Sequence, residues 1–150
     1  MTGLTDQQKY QILAKLSLMA LYLVFGIDIT LAAIGYFIQG NITFDSGHDT
    51  VLIRNVFLFL VFAEFASLQF VKNALLSKLP PVIDPERIPY QQLVNITYMV
   101  AGICVSIAVY GLIIVALGGD YDFLLLFVAI SLIGFQLFRL RKKDLDKLGT

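Results

Sequence analysis

Two acidic residues, Asp28 and Glu64, are the side chains of this sequence best placed to do chemistry, because each lies near the middle of a long apolar stretch. No lysine or arginine occurs at the same depth in either stretch. A charge at the centre of a bilayer costs about 2.5–3.5 kcal/mol on insertion scales, so burial there favours the neutral acid. The hydroxyl groups that we select as hydrogen-bond partners are those of Thr30, Tyr98, Ser106 and Tyr110.

These two carboxyl groups have a functional and a structural interpretation. In the functional one, they form a proton- or cation-binding pair that faces a shared interior, as intramembrane carboxyls often do. In the structural one, each is a protonated acid that joins two helices by a hydrogen bond worth about 0.5–2 kcal/mol. The sequence leaves both open. The substitutions Asp28→Asn and Glu64→Gln distinguish them, because amides keep the hydrogen bonds and lose the titratable proton.

The other reactive side chains indicate neither an enzyme nor a cofactor. His48 lies beside Asp45 and Asp49, either as a weak metal-binding cluster or, as we expect, in a solvated loop. Cys104 is the only cysteine and falls in an apolar stretch, so we expect an unreactive packing residue. We recognise no nucleophile–base pair and no phosphate-binding loop, and the net charge of zero gives no indication of nucleic-acid binding. We therefore predict no catalytic residue, no cofactor and no metal site.

The composition predicts that lipid surrounds these side chains. Hydrophobic residues make up 58% of the 150 residues and charged residues only 15%, whereas a soluble domain carries about 25% charged residues. Continuous apolar runs cover roughly 16–38, 55–76, 93–117 and 123–140, and each is close to the ~20 residues that a membrane helix needs. We predict an all-α integral membrane protein, a four-transmembrane-helix bundle forming a single membrane domain over 1–150. Its helices span roughly 5–38, 55–76, 89–117 and 123–145, with a stiff, proline-containing cytoplasmic loop at 78–89.

The basic residues are concentrated on one side of the predicted bundle. Ten of the eleven flank the two termini and the connection between the second and third helices, and Arg54 is the exception. Because lysine and arginine are retained on the cytoplasmic side, both termini are expected to be cytoplasmic in a bacterial-type inner membrane. The side chains that we expect to anchor the helices at the membrane interface are Arg54, Lys72, Arg139, Arg141, Lys142 and Lys143.

The first and third helices resemble each other at an offset of 76 residues. GIDITLAAIGYFI (26–38) aligns with GICVSIAVYGLII (102–114), which pairs Gly26 with Gly102 and Gly35 with Gly111. This pattern indicates either a duplicated helical hairpin or the general frequency of small residues in membrane helices. Small residues four apart, at Gly26/Thr30, Ala63/Ser67 and Gly102/Ser106, allow close helix packing. We expect them to pack within the bundle, with packing between protomers as the alternative.

Two segments resemble the phosphate-starvation-inducible protein E family of small four-span bacterial membrane proteins. FLFLVFAEFASLQFVKN (57–73) is similar to that family's second helix, and IPYQQLVNITY followed by YGLIIV (110–115) is similar to its third. The resemblance covers roughly residues 55–143 and implies that Glu64 holds the family's acidic position. Where the family usually has an arginine before its LIIV-like stretch, this chain has Gly111. The resemblance implies a fold and a membrane location but no reaction.

Two function classes follow from these observations. The first is an accessory or regulatory membrane component that packs against membrane partners, as part of a homo-oligomer or a larger membrane complex. The second is a small oligomeric proton or cation channel or transporter that uses Asp28 and Glu64. The first predicts that amides at the two positions are tolerated, and the second predicts that either amide abolishes flux.

Overall fold

A computed structural model describes residues 6–41, 50–79, 90–141 and 143–144 of the chain. These residues form four helices and no strand: α1 (Asp6–Asn41), α2 (Thr50–Ser77), α3 (Tyr90–Ala116) and α4 (Tyr121–Phe138). Each helix contains a segment long and apolar enough to cross a membrane. The prediction of an all-α protein with four potential membrane spans is therefore confirmed. Most of the predicted proline loop, His48 with its neighbouring aspartates, and Lys142 lie outside the described residues.

Helix length relates each element to the thickness of a bilayer. In lipid, a chain must satisfy its backbone polar groups internally, and long helices do so. The 36 residues of α1 correspond to about 54 Å at 1.5 Å per residue, well above the ~30 Å of a hydrocarbon core. The 18 residues of α4 correspond to only about 27 Å. The helix α1 is therefore much longer than a hydrocarbon core is thick, whereas α4 is just long enough to cross one.

The central element of the bundle is α3. It packs against each of the other three helices, and its Val100, Cys104 and Ala108 are completely buried. The other two members of the core are α1 and α4, which also pack against each other. By contrast, α2 packs mainly on α3 and less on α4, and within the described residues it makes almost no contact with α1. The bundle thus consists of a three-helix core, α1–α3–α4, with α2 along one edge.

Glycines set the close approach of the three-helix core. A methyl group added at Gly111 would lie 2.8 Å from the Cα atom of Leu124 in α4, too close for any side chain. One added at Gly35 of α1 would collide with the side chain of the same Leu124. Gly35 and Gly111, which the proposed duplication pairs, therefore have similar surroundings, although the duplication itself stays a prediction.

A glycine turn connects α3 to α4. The backbone N–H of Gly118 donates to the carbonyl of Val115 at 3.0 Å, and that of Gly119 donates to the carbonyl of Ile114 at 2.9 Å. This pair of bonds is the Schellman motif, which needs a left-handed residue just after the helix. Gly118 has φ of 90° and fills that position, where a residue with a Cβ atom would be strained. The Gly118-Gly119 pair therefore ends α3.

The fourth helix ends at Phe138, earlier than the predicted 145. Arg139 has ψ of 154°, so the backbone leaves the helical conformation there. The ammonium group of Lys72 in α2 lies 3.3 Å from the carbonyl oxygen of Phe138 and 3.2 Å from a carboxylate oxygen of Asp144. That carboxylate also accepts the backbone N–H of Arg141 at 2.9 Å. These tertiary contacts turn the chain back onto α2, and helical periodicity could not reveal them.

Candidate functional site

Glu64 lies at the contact between α2 and α3 and is half-buried. The phenolic hydroxyl of Tyr110 donates a hydrogen bond to its Oε1 atom. The Ser106 hydroxyl lies 3.4 Å from its Oε2 atom. Ser106 and Tyr110 are one helical turn apart on α3, so they present two hydroxyl groups to one carboxyl group. The structure thus brings together three of the six residues selected for the polar site.

The geometry around Tyr110 and Ser106 restricts what Glu64 can do. The ring of Phe57 stacks on that of Tyr110 with centroids 4.9 Å apart and an interplanar angle of 13°, which fixes the direction of the phenol. The single hydroxyl proton of Ser106 has a closer acceptor in the carbonyl oxygen of Ile103, at 2.7 Å. The contact of Ser106 with Oε2 of Glu64 is therefore the weaker of the two. The cluster holds the Glu64 carboxyl against two hydroxyl groups of α3, with Tyr110 as its main partner.

Asp28 has a different environment, in the core next to α4. Its side chain is 1% exposed, and neither carboxyl oxygen has a hydrogen-bond partner among the described residues. The Ser131 hydroxyl of α4 faces the carboxyl closely enough to interact with it, but the two groups do not meet with the distance and angle of a well-formed hydrogen bond, and Ser131 has no other partner in the described chain. Buried polar groups are hydrogen-bonded as a rule, and an exception calls for an explanation other than stability.

The two carboxyl groups are therefore not joined to each other. Asp28 faces Ser131 of α4, whereas the partners of Glu64 are on α3. The thiol of Cys104, which is buried as expected, is within electrostatic range of both. Within the described ranges, no group of three or more histidine, cysteine or acidic side chains is arranged to hold a metal ion.

The remaining two residues selected from the sequence lie on the outside of the bundle. Thr30 is exposed, and its hydroxyl donates to the carbonyl of Gly26 one turn earlier at 2.8 Å. Tyr98 is 41% exposed and borders a small hollow between α1 and α3 together with Leu16 and Met19. Neither residue contacts a carboxyl group, so the six residues do not form one site.

The predicted interface anchors differ in their surroundings. Arg54 donates from Nε and Nη2 to Oδ1 of Asn55 at 3.2 and 3.1 Å. Its guanidinium lies 5.2 Å from the ring centroid of Phe123, a cation–π contact that connects α2 to α4. Lys143 is exposed. Arg139 and Arg141 line a groove between α1 and the end of α4.

Lys72 has a role that the sequence did not indicate. Its side chain is 3% exposed and forms an ion pair with Asp144, which is 2% exposed. Sequence reasoning placed Lys72 at the membrane interface and did not select Asp144 at all. The tail that contains Asp144 mixes basic and acidic residues, and no local pattern marks one of them as the partner of a lysine 72 positions earlier. Asp144 and Ser131 are the polar residues that the sequence analysis missed.

Four apolar helices enclosing buried carboxyl groups indicate a small multi-pass membrane protein. Comparison with protein-family models finds no match for this chain, and neither the curated proteins nor the solved structures provide a similar one. The resemblance to the phosphate-starvation-inducible protein E family stays a prediction.

Proposed function

We propose that this chain is an accessory or regulatory membrane component that binds a transmembrane helix of a partner subunit. The observation that carries this proposal is an open cleft between α1 and α2 with α3 as its floor. Because α4 packs against both α1 and α2, which barely touch each other, the free side of α3 lies between those two helices. Tyr98, Gly102 and Val109 of α3 are exposed there. We call this surface the α1–α2 cleft.

Small residues on the outside of the bundle support a helix as the occupant. A methyl group added at Gly26 or Gly102 would have no atom within 4 Å, in contrast to Gly35 and Gly111. The small pairs Gly26/Thr30 and Ala63/Ser67 are also exposed, so they do not serve the bundle's own packing. Apolar surface alone does not drive association in lipid, whereas small residues let two helix backbones approach closely.

Photo-cross-linking from a single introduced cysteine tests the cleft. The native Cys104 is buried, so a cysteine introduced by Gly102→Cys is the accessible thiol in the described part of the chain. We expect Gly102→Cys, alkylated with benzophenone maleimide and irradiated in native membranes, to cross-link to one defined subunit, either a second copy or a stoichiometric foreign chain. Gly40→Cys is the matched control, because Gly40 has equally open surroundings at the far end of α1.

A substitution that fills the cleft provides the second arm of this test. Gly102→Leu should reduce co-purification of that subunit by about tenfold, whereas Gly40→Leu should leave it unchanged. A labelled Gly102→Cys protein that gives no cross-linked product in native membranes, or a Gly102→Leu protein that retains its partner, contradicts the proposal.

A second candidate function is a proton or cation pathway, and the unpaired state of Asp28 and Ser131 favours it. A carboxyl group without a hydrogen bond in the core is available to bind a proton or a cation. The test is flux in proteoliposomes containing the purified protein. Loss of flux in both Asp28→Asn and Glu64→Gln, with unchanged thermal unfolding, supports the pathway. Absence of flux in the unsubstituted protein rejects it, and the accessory proposal predicts that outcome.

We also propose that both termini face the cytoplasm of a bacterial-type inner membrane, on the strength of the one-sided lysine and arginine distribution. Labelling of single cysteines by a membrane-impermeant reagent tests this orientation. Lys143→Cys should react only after the cell is opened, and Asp122→Cys, at the opposite end of α4, should react in intact cells. The reverse pattern contradicts the orientation.

A further inference from the structure

A groove between α1 and the end of α4 combines basic and apolar residues. Its volume is about 490 Å³. The polar part of its lining includes Ser17 of α1 and Arg139 and Arg141, which follow α4. The apolar part includes Leu18 and Leu21 of α1. The groove lies on a different pair of helices from the α1–α2 cleft.

Both guanidinium groups of this groove are held by neutral acceptors. Arg139 donates from Nη1 to the hydroxyl of Ser17 at 2.9 Å, and Arg141 donates from Nη2 to the carbonyl of Leu137 at 2.9 Å. A guanidinium has five N–H donors, so each arginine keeps donors for a further ligand. The carboxylate of Asp144 is occupied by Lys72, and among the described residues no other carboxylate pairs with either arginine. Within the described residues, two positive charges therefore line the groove with no carboxylate paired to either guanidinium.

The negative end of the α4 dipole explains part of this arrangement, because a helix C-terminus favours cations. The dipole does not explain why both arginines line the same groove, or why the groove continues as an apolar surface. A ligand that matches both parts has an anionic group at one end and a hydrocarbon chain at the other.

The membrane geometry gives this ligand its orientation. Arg139 directly follows the 18 residues of α4, about 27 Å of helix, so it lies near the boundary of a hydrocarbon core of ~30 Å. The Arg139–Ser17 hydrogen bond places Ser17 at the same depth. Leu21 is one turn, about 6 Å, further along α1 toward the hydrocarbon. The groove thus runs from the headgroup level into the acyl-chain region.

We propose that this groove binds an anionic phospholipid, with its phosphate on Arg139 and Arg141 and an acyl chain along Leu18 and Leu21. Arginine suits this role because its planar fork pairs with two phosphate oxygens at once. Ser17 fixes the guanidinium of Arg139 in advance, so the site is ordered before lipid arrives. The ligand needs one net negative charge, which an anionic phospholipid has and a zwitterionic lipid lacks.

Native mass spectrometry of the purified protein tests the site. The protein is offered equal amounts of dioleoylphosphatidylglycerol and dioleoylphosphatidylcholine, and the retained lipid is counted. We expect one phosphatidylglycerol to be retained in preference. Each basic residue near an anionic lipid contributes a factor of about five to binding, so R139Q/R141Q should lower that preference by about tenfold or more. The matched control K78Q/K143Q also removes two positive charges from exposed lysines, and it should leave the preference unchanged.

Two further measurements separate a lipid site from general charge attraction. Ala14→Phe keeps both arginines but fills the groove, which Ala14 lines, and it should abolish the preference. Inorganic phosphate at millimolar concentration should not displace the lipid, because phosphate lacks the acyl chain. The proposal is overturned by an R139Q/R141Q protein that keeps its preference, by an equal loss in K78Q/K143Q, by an Ala14→Phe protein that still selects phosphatidylglycerol, or by displacement with phosphate.

Discussion

The three-helix core and the attached helix α2 are held together by different interactions. In the core, Gly35 and Gly111 let α1 and α3 approach Leu124 of α4 closely. At α2, polar contacts connect the helix to the bundle: Glu64 to Tyr110 near the middle, and Lys72 to Asp144 near the end. Each region also contains one membrane-embedded carboxyl group. The one in the core is unpaired, and the one on α2 is hydrogen-bonded.

This difference follows from how helices associate in lipid. An apolar side chain gains little free energy when it leaves lipid for a neighbouring helix, because both surroundings are apolar. Close packing or hydrogen bonding must therefore hold the helices together. The outer face of α2 carries large aromatic residues, such as Phe59 (73% exposed) and Phe70 (75% exposed), that face away from the bundle. Few residues of α2 are buried, Val61 and Leu68 among them, so its polar contacts supply a larger share of its attachment than in the core. The core, with glycines at its contacts, does not need Asp28 for packing.

The largest expected effect comes from Lys72→Met. This substitution leaves the carboxyl of Asp144 buried without its counter-charge, and breaking a buried pair in this way costs about 3–5 kcal/mol. We expect the free energy of unfolding in detergent micelles, measured by dodecyl sulfate titration, to fall by that amount. Limited proteolysis should also show earlier cleavage in the C-terminal tail, because the tail loses its contact with α2.

Two controls make this result specific. Lys78→Met removes an exposed lysine from the same end of α2 and should change the free energy of unfolding by less than about 0.5 kcal/mol. The double variant K72M/D144L replaces both charges by apolar groups and should regain most of the loss, since apolar replacement of a buried pair is often neutral. If Lys72→Met unfolds like the unsubstituted protein, the polar contacts do not hold α2.

The second prediction concerns the glycines of the core. Gly111→Val forces atoms against the backbone of Leu124 in α4, and overpacking of this kind costs about 1–3 kcal/mol. Gly102→Val, nine residues earlier on the same helix, places its side chain in open space and should cost far less. Dodecyl sulfate titration of both variants compares them directly. Equal destabilisation by the two would mean that the close approach of α3 and α4 does not decide the stability of the core.

The third prediction compares the two carboxyl groups. Asp28→Val removes a buried acid that has no hydrogen bond, so the free energy of unfolding should rise by about 1–3 kcal/mol. Glu64→Val removes an acid that is bonded to Tyr110, so the same measurement should give a fall. Changes of opposite sign in the free energy of unfolding support the contrast between the three-helix core and α2. A fall in both variants would show that Asp28 has a partner in the folded protein after all.

Sequence reasoning reached some of these features and missed others for physical reasons. Hydrophobic run length predicts the four helices, because every span must satisfy its own backbone. It also places Asp28 and Glu64 at mid-membrane depth. It does not predict which helix each carboxyl faces, since apolar side chains toward lipid and toward the core look alike in sequence. Helical periodicity therefore does not show which face of a membrane helix points toward the core. The Lys72–Asp144 pair was missed because it is a tertiary contact that also ends α4.

The smallest effect is expected for Tyr110→Phe, which removes one hydroxyl group and retains the ring stacking on Phe57. Hydrogen bonds between membrane helices average about 0.6 kcal/mol, with larger values near 2 kcal/mol. We therefore expect a loss of about 0.5–1.5 kcal/mol in the free energy of unfolding. A double-mutant cycle with Glu64→Val, which removes the acceptor, isolates the Tyr110–Glu64 interaction from the change in each residue alone. Ser106→Ala is the matched control, because the Ser106 contact at 3.4 Å is longer and should couple more weakly to Glu64.

A coupling energy near zero for Tyr110 would mean that α2 is held at mid-membrane by the stacking of Phe57 rather than by the carboxyl group. Glu64 would then be free for the partner helix or the proton pathway.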